Sequence, residues 1–190
     1  MRTLLIYRDD GPLARALGVR NRLPPSLLTL VAVIPLAVEI CADERAVGVV
    51  AAVFAWMIVL GGLSRGGDLD RDRFRWAVPP LLRAGEYAAL VWLHPAGGFA
   101  VVLALTLRHY DLVYRLRYQG TPPPQDLGGG WESRLVVAWV LLATGALPEG
   151  FYALAAILGA LFAAECVAGW RRFSTADGSA FYDEGEGEAE

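Results

Sequence analysis

The sequence predicts an all-α integral membrane protein, a six-transmembrane-helix bundle with a short N-terminal interfacial helix. Three observations predict it. Apolar residues make up 55% of the 190-residue chain, above the roughly 45–50% of soluble domains, and mean hydropathy is +0.40. The excess is gathered into runs close to the roughly 20 apolar residues that a helical span takes. With six spans, fifteen of the seventeen basic residues, all arginines, fall on one side.

The elements follow in order. Residues 12–22 are too short and polar to cross. Leu13, Leu17 and Val19 alternate with Arg15, Arg20 and Arg22, which suits a short helix at an interface. The expected spans are 25–41, 46–63, 77–93, 96–116, 134–148 and 150–170. Pro24-Pro25 and Pro79-Pro80 suit helix starts, where a proline loses no needed hydrogen bond. Pro35 predicts a kink in the first span. Residues 120–130 (GTPPPQDLGGG) form a loop. Asp68-Leu-Asp-Arg-Asp72 reads as a solvated loop, because arginine interrupts its carboxylates. Ala155, Gly159 and Ala163, with Ala156, Ala160 and Ala164 one register over, give the sixth span faces that allow close helix approach. The domain layout is a cytoplasmic N-terminal segment over 1–24, a membrane domain over 25–172, and a disordered acidic tail over 173–190.

Arginine placement orients the bundle. Arg2, Arg8, Arg15, Arg20 and Arg22 precede the first span. Arg65, Arg71, Arg73 and Arg75 follow the second, Arg108, Arg115, Arg117 and Arg134 lie between the fourth and fifth, and Arg171 and Arg172 follow the sixth. The opposite loops hold Arg45 alone. The positive-inside rule then places both termini in the cytoplasm of a multi-pass cell-membrane protein. Trp76, Trp131 and Trp170 stand near the same ends, as interfacial aromatics do.

Several function classes are excluded. Cys41 and Cys166 are the two cysteines, with no CxxC, so neither a disulfide framework nor a zinc site is expected. No cleavable signal peptide is expected, because Asp9 and Asp10 interrupt the first apolar stretch. There is no phosphate loop, dinucleotide fingerprint, metalloprotease motif or nucleophile elbow, and no nucleic-acid module.

The candidate site is polar. Arg108, His109, Asp111 and Arg115 continue an apolar run, and titratable groups there mark bundle interiors or cavities. Asp111 is three residues after Arg108 and four before Arg115, so the three share a helix face. Arg83 and Glu86 are spaced likewise. Glu86 lies roughly 10 Å from the start of its helix and Glu165 about 8 Å from Trp170, at 1.5 Å per residue. Arg83, Glu86, Arg108, His109, Asp111, Arg115 and Glu165 are therefore expected at one depth of the cytoplasmic leaflet. Two readings stand beside each other: ion pairs that lock helices, and a pocket for an anionic head group. In the second, Arg83, Arg108 and Arg115 hold phosphate, while Glu86, Asp111 and Glu165 orient them. Glu86, His109, Asp111 and Glu165 are metal-ligand types, but arginines flank Asp111 and compete with a cation. No metal and no cofactor is expected.

The runs YRDDGPLAR (7–15), VPPLLRAGEY (78–87), RHYDLVYRLRYQG (108–120) and GGWESRL (129–135) resemble an uncharacterised actinobacterial membrane domain. That domain is commonly attached C-terminal to CDP-alcohol phosphatidyltransferase domains. The resemblance implies no established activity. It implies a setting in phospholipid or phospho-alcohol metabolism, with membrane lipid and a CDP-alcohol phosphatidyltransferase-type protein as partners. A second resemblance is to those transferases themselves, which also have six spans and a cytoplasmic-leaflet site. Asp10-Gly-Pro-Leu-Ala-Arg15 matches the DGxxAR core of their signature. Tyr7 stands at the leading acid position, and the downstream GxxxDxxxD is missing, so their metal-binding acids are not present. The expected function is a binding or accessory module. The alternative is a membrane transferase of that type, with His109 or Asp111 as base.

Overall fold

In the computed structural model, the backbone is described for residues 2–124 and 127–183, and side-chain surroundings for 5–124 and 127–174. The helices are α1 (Arg2–Tyr7), α2 (Pro12–Leu17), α3 (Pro25–Ala42), α4 (Val47–Arg65), α5 (Val78–Leu93), α6 (Pro95–Tyr118), α7 (Trp131–Ala143) and α8 (Leu147–Asp183), with a 3₁₀ turn at Arg75–Ala77. Among the described residues there is no strand.

Each expected span is a helix. Prolines start α3, α5 and α6 at their first or second positions, where a missing N–H costs nothing. The structure's α3 continues through Pro35. Residues α3, α4, α6 and 147–174 of α8 are long and apolar enough to cross a membrane. At 16 and 13 residues, α5 and α7 fall below the usual span of about 17–25. The fifth expected span, α7, starts at Trp131, earlier than expected, because Gly130 takes the N-cap position with a positive φ of 83°. It ends at Ala143, and Gly145 turns the chain with φ 72°. The disorder expected over 173–190 lies partly outside the described residues, at 184–190; α8 itself runs to Asp183.

The helices pack α3 on α4, α5 on both α3 and α6, α6 along α8, and α7 against α4 and α5. The core holds Leu36, Phe54, Met57, Leu82, Leu90, Leu105, Trp131, Leu135 and Phe151. Gly98 allows α6 to cross α5 closely, since a Cβ there would overlap the Leu90 carbonyl oxygen. The outside is also apolar. Leu27, Leu30, Ile34 and Val38 of α3, Phe99 and Leu103 of α6, and Ile157 and Val167 of α8 are exposed. Only 28% of the α3 window and 17% of the α8 window is buried. A soluble protein rarely leaves so much contiguous apolar surface in water, whereas a bilayer accepts it.

The N-terminal segment does not simply lead in. Ala14 of α2 is fully buried, and α2 packs on α4 and α7. Gly62 makes this possible, because a Cβ there would press on Leu17.

Candidate functional site

Two loops meet at one end of the bundle and build the site. Asp9, in the turn after α1, lies in the left-handed region, φ 54°, which aspartate tolerates better than most residues. Its carbonyl accepts from the Trp131 amide at 3.2 Å. Gly11 follows with no room for a side chain: a Cβ would overlap the Gly129 carbonyl oxygen, and one on Gly130 would overlap the Gly11 nitrogen. Gly128, Gly129 and Gly130 all have positive φ, a conformation that glycine takes without steric cost. Backbone therefore lies against backbone. Glu132, fully buried, accepts from the amides of Gly11 and Ala14, each at 3.1 Å. A side chain of α7 thus caps the N-terminus of α2, where backbone donors lack helical partners.

Asp9 is the hub of the buried charges. One oxygen accepts from Arg108 at 3.1 Å and the other from Arg134 at 2.9 Å. Arg134 also holds Glu86, Nε to Oε1 at 2.5 Å and Nη2 to Oε2 at 3.3 Å, and donates to the Gly128 carbonyl. Burial alone raises the Asp9 pKa, but the guanidiniums of Arg134 and Arg108 outweigh it, so the carboxyl sits below its ordinary value. The neighbouring Asp10 accepts from Arg8 at 2.8 Å, Arg65 at 2.6 Å and the Trp131 indole at 2.9 Å. Arg8 continues to the Ser64 hydroxyl and the Gly61 carbonyl on α4. Five segments far apart in sequence are locked in this way.

Arg83 and His109 stand differently. Arg83 donates from Nη2 to the Tyr7 carbonyl at 2.7 Å; its Nε is buried without a partner, and no carboxylate lies within ion-pair distance among the described residues. The expected i, i+3 partner, Glu86, is taken by Arg134. The His109 ring is 7% exposed. Its Nδ1 is 2.6 Å from the Tyr87 hydroxyl, and its Nε2 is buried without a partner.

Asp111, Arg115 and Glu165 form a second cluster. Asp111 pairs with Arg115 at 3.0 Å, and not with Arg108. Arg115 reaches Glu165 Oε1 at 3.1 Å and the Glu165 carbonyl at 2.7 Å, and Arg172 joins Glu165 at 2.9 Å. Gly169 makes room for the Arg115 guanidinium. Arg115, Glu165, Arg172 and Gln119 line a cleft of about 480 Å³.

The seven expected site residues therefore divide. Glu86 and Arg108 belong to the Asp9 network, Arg83 and His109 flank it, and Asp111, Arg115 and Glu165 lie in the second cluster. Arg8, Asp9, Asp10, Glu132 and Arg134 were not expected at the site. The signal was present, since all five lie in the runs YRDDGPLAR and GGWESRL. Trp131 requires a correction: it is 1% exposed and holds Asp10, rather than lying at an interface. Among the described residues, no group of three or more His, Cys, Asp or Glu side chains is arranged to hold a metal ion.

Fold and site together define an all-helical protein whose apolar helices suit a membrane and whose N-terminal loop is bound in by buried arginine–carboxylate pairs. The chain belongs to DUF5941, a family of unknown function whose model matches residues 1–189. No curated protein and no solved structure matches it.

Proposed function

We propose that the protein is a six-span integral membrane module of the cell membrane that binds an anionic head group in phospholipid or phospho-alcohol metabolism. In this reading both termini are cytoplasmic, and the module is accessory to a CDP-alcohol phosphatidyltransferase-type partner. The arginine distribution supports the orientation. The apolar composition of α5 and α7 supports their counting as spans, at about 24 and 20 Å by helical rise. Leu13 and Val19 are exposed beside α2, which supports an interfacial placement of that segment.

One observation carries the head-group reading: Arg83 is an arginine without a carboxylate. Around the junction, Arg8, Arg65, Arg83, Arg108 and Arg134 face Asp9, Asp10, Glu86 and Glu132, which leaves one positive charge over. Arg108 and Arg134 share Asp9, and Arg134 also holds Glu86, so in this reading they position the site. With the Tyr87 hydroxyl donating to Nδ1, His109 carries its proton on Nε2. Arg83 Nε and His109 Nε2 are then both unanswered donors, which suits an oxyanion.

Arg83→Ala tests this more cleanly than a change at Arg108, whose loss would unfold the Asp9 network. Glycerol phosphate and short-chain phosphatidic acid are expected to raise the Tm of the detergent-purified protein. Arg83→Ala should keep its helicity and lose that shift, and Arg83→Lys should keep part of it. An undiminished shift in Arg83→Ala sinks the reading.

A transferase is the second reading, and the Tyr87–His109 hydrogen bond favours it. A ring held at Nδ1 with Nε2 unpaired is the arrangement of a positioned acid–base group. Asp111 is less suited to act as base, because Arg115 occupies its carboxylate. Turnover of a CDP-alcohol donor by the purified protein, abolished in His109→Ala, would support this reading. No turnover, with or without Mg²⁺, would count against it.

A further inference from the structure

We propose a second lipid site, where α3 begins and α4 ends, that selects an anionic phospholipid from the bilayer. Its phosphate would lie among Arg20, Arg22 and Arg71, and one acyl chain would lie against Leu27, Leu30 and Trp76.

Two adjoining concavities make the site. The first is a polar depression of about 880 Å³ lined by Arg20, Asn21, Arg22, Gly66, Gly67 and Arg71, among others. The second is an apolar groove of about 620 Å³ whose walls include Leu27, Leu30, Phe74, Trp76 and Leu81. Arg71 lines both, so the polar and apolar parts adjoin at this side chain. Each volume falls in the roughly 300–1,000 Å³ range of small-ligand sites. A polar chamber opening into an apolar groove matches the two parts of a phospholipid.

The charge is complementary to an anion. Arg20 and Arg22 are exposed and make no hydrogen bond or ion pair among the described residues. Asp68 accepts from the amides of Asp70 and Arg71 and pairs with the Arg71 guanidinium at 3.5 Å on the surface, so Arg20 and Arg22 are the arginines that face no acid among the described residues. Asp72 is buried and accepts from the Ser26 amide and hydroxyl at 2.6 and 2.8 Å and from the Phe74 amide at 2.9 Å. Asp70 is the remaining exposed carboxylate, against Arg20 and Arg22 and the Asp68-paired Arg71.

The chamber is preformed. The Asn21 amide donates to the Gly66 carbonyl at 2.9 Å, and the Asp68 amide to the Leu23 carbonyl at 3.3 Å. The Asn21 side-chain amide donates to the Leu63 carbonyl at 2.9 Å. A Cβ on Gly66 would overlap the Val19 carbonyl oxygen. Residues 18–23 are thereby tied to the end of α4.

The location fits the occupant. Both α3 and α4 are long and apolar enough to cross a membrane, so their shared end lies at head-group depth in the membrane reading. Leu27 and Leu30 face outward along α3, and Trp76 and Phe74 are 65% and 58% exposed, as aromatics at a membrane interface are. A lipid whose phosphate rests on the arginines has its chains beside these residues. A soluble phosphate ester would leave the groove empty.

Quenching of Trp76 tests the site. The full chain is reconstituted in phosphatidylcholine vesicles carrying a minor fraction of brominated phosphatidylglycerol or brominated phosphatidylcholine. The Trp76 signal is the difference between wild type and Trp76→Phe. Brominated phosphatidylglycerol is expected to quench it at roughly fivefold lower mole fraction, the preference that one basic residue at a membrane surface confers. The Arg20→Gln/Arg22→Gln/Arg71→Gln triple variant should lose the preference, and the triple lysine variant should keep most of it. All three side chains are exposed, so unchanged circular dichroism is expected. Equal quenching by both lipids overturns the proposal, as does a preference that survives the glutamine variant. Removal of the preference by free glycerol phosphate would also overturn it, by assigning the chamber to a soluble ester. Arg83→Ala should leave the preference intact, so this site and the one at Arg83 fail separately.

Discussion

Asp9→Asn isolates the charge at the centre of the junction. Asparagine has nearly the same shape, keeps one carbonyl-type acceptor, and tolerates the left-handed backbone that Asp9 adopts at φ 54°. Only the anion is lost. Arg108 and Arg134, 5% and 2% exposed, are then left in the interior, with an amide NH₂ facing at least one of them. Removing one partner of a buried ion pair costs about 3–5 kcal/mol. Arg134 keeps Glu86, and Arg108 keeps the Pro124 carbonyl, so about 3 kcal/mol, the lower end of that range, is expected. The assay is equilibrium unfolding of the purified protein in mixed micelles of mild detergent and SDS, followed by circular dichroism. The pH dependence supplies a second readout. The folded pKa of Asp9 lies below its ordinary 3.8. Its stabilising contribution is therefore fully present well above that value and is lost as pH falls through the lower folded value. The gap between wild type and Asp9→Asn should be constant from neutral pH down to mildly acidic pH and shrink below the ordinary value. Asp9→Ala should be worse than Asp9→Asn by about 1 kcal/mol, because alanine resists the left-handed backbone. A loss below about 1 kcal/mol for Asp9→Asn, the level of an exposed pair, would refute the view that Asp9 is the hub.

Two further outcomes follow from the same junction. Glu132→Ala leaves the Gly11 and Ala14 amides uncapped inside the protein and should cost about 1–3 kcal/mol in the same assay, with Glu132→Gln costing less; a neutral Glu132→Ala would mean that α2 is not held by α7. Gly11 has an ordinary φ of −91°, so Gly11→Ala fails on space alone and should release α2 from the bundle and expose the buried Arg8 to trypsin. Unchanged cleavage would contradict the close approach of the two loops.

Much of the helical layout was legible in the sequence. Six apolar runs became α3 to α8, with proline starts where a missing N–H is harmless. Four of these helices meet the length and apolarity of a span, while α5 and α7 are shorter because Leu93 gives way to His94-Pro95 and Gly145 ends α7 early. The site was legible only in part. Spacing on one helix identified the Asp111–Arg115 pair, because i, i+4 geometry is local. It did not find the partners of Arg108 and Glu86, which come from the loop after α1 and from α7. Arg134 and Glu132 looked like the polar start of a span, and Asp9 and Asp10 like part of a lead-in.

What the sequence by itself determined is the class of protein: long helices that are apolar on the outside as well as the inside. Hydropathy and helical periodicity are sums over neighbouring residues, so they survive without knowledge of the fold. Only the tertiary structure decided which charges cancel. Pairing depends on contacts between residues as far apart as Asp9 and Arg134, and on glycines at 11, 129 and 130 that let two backbones touch. That pairing turned seven candidate residues into a locked Asp9 network, a second cluster around Arg115, and Arg83 with His109, each still holding a buried nitrogen without a partner.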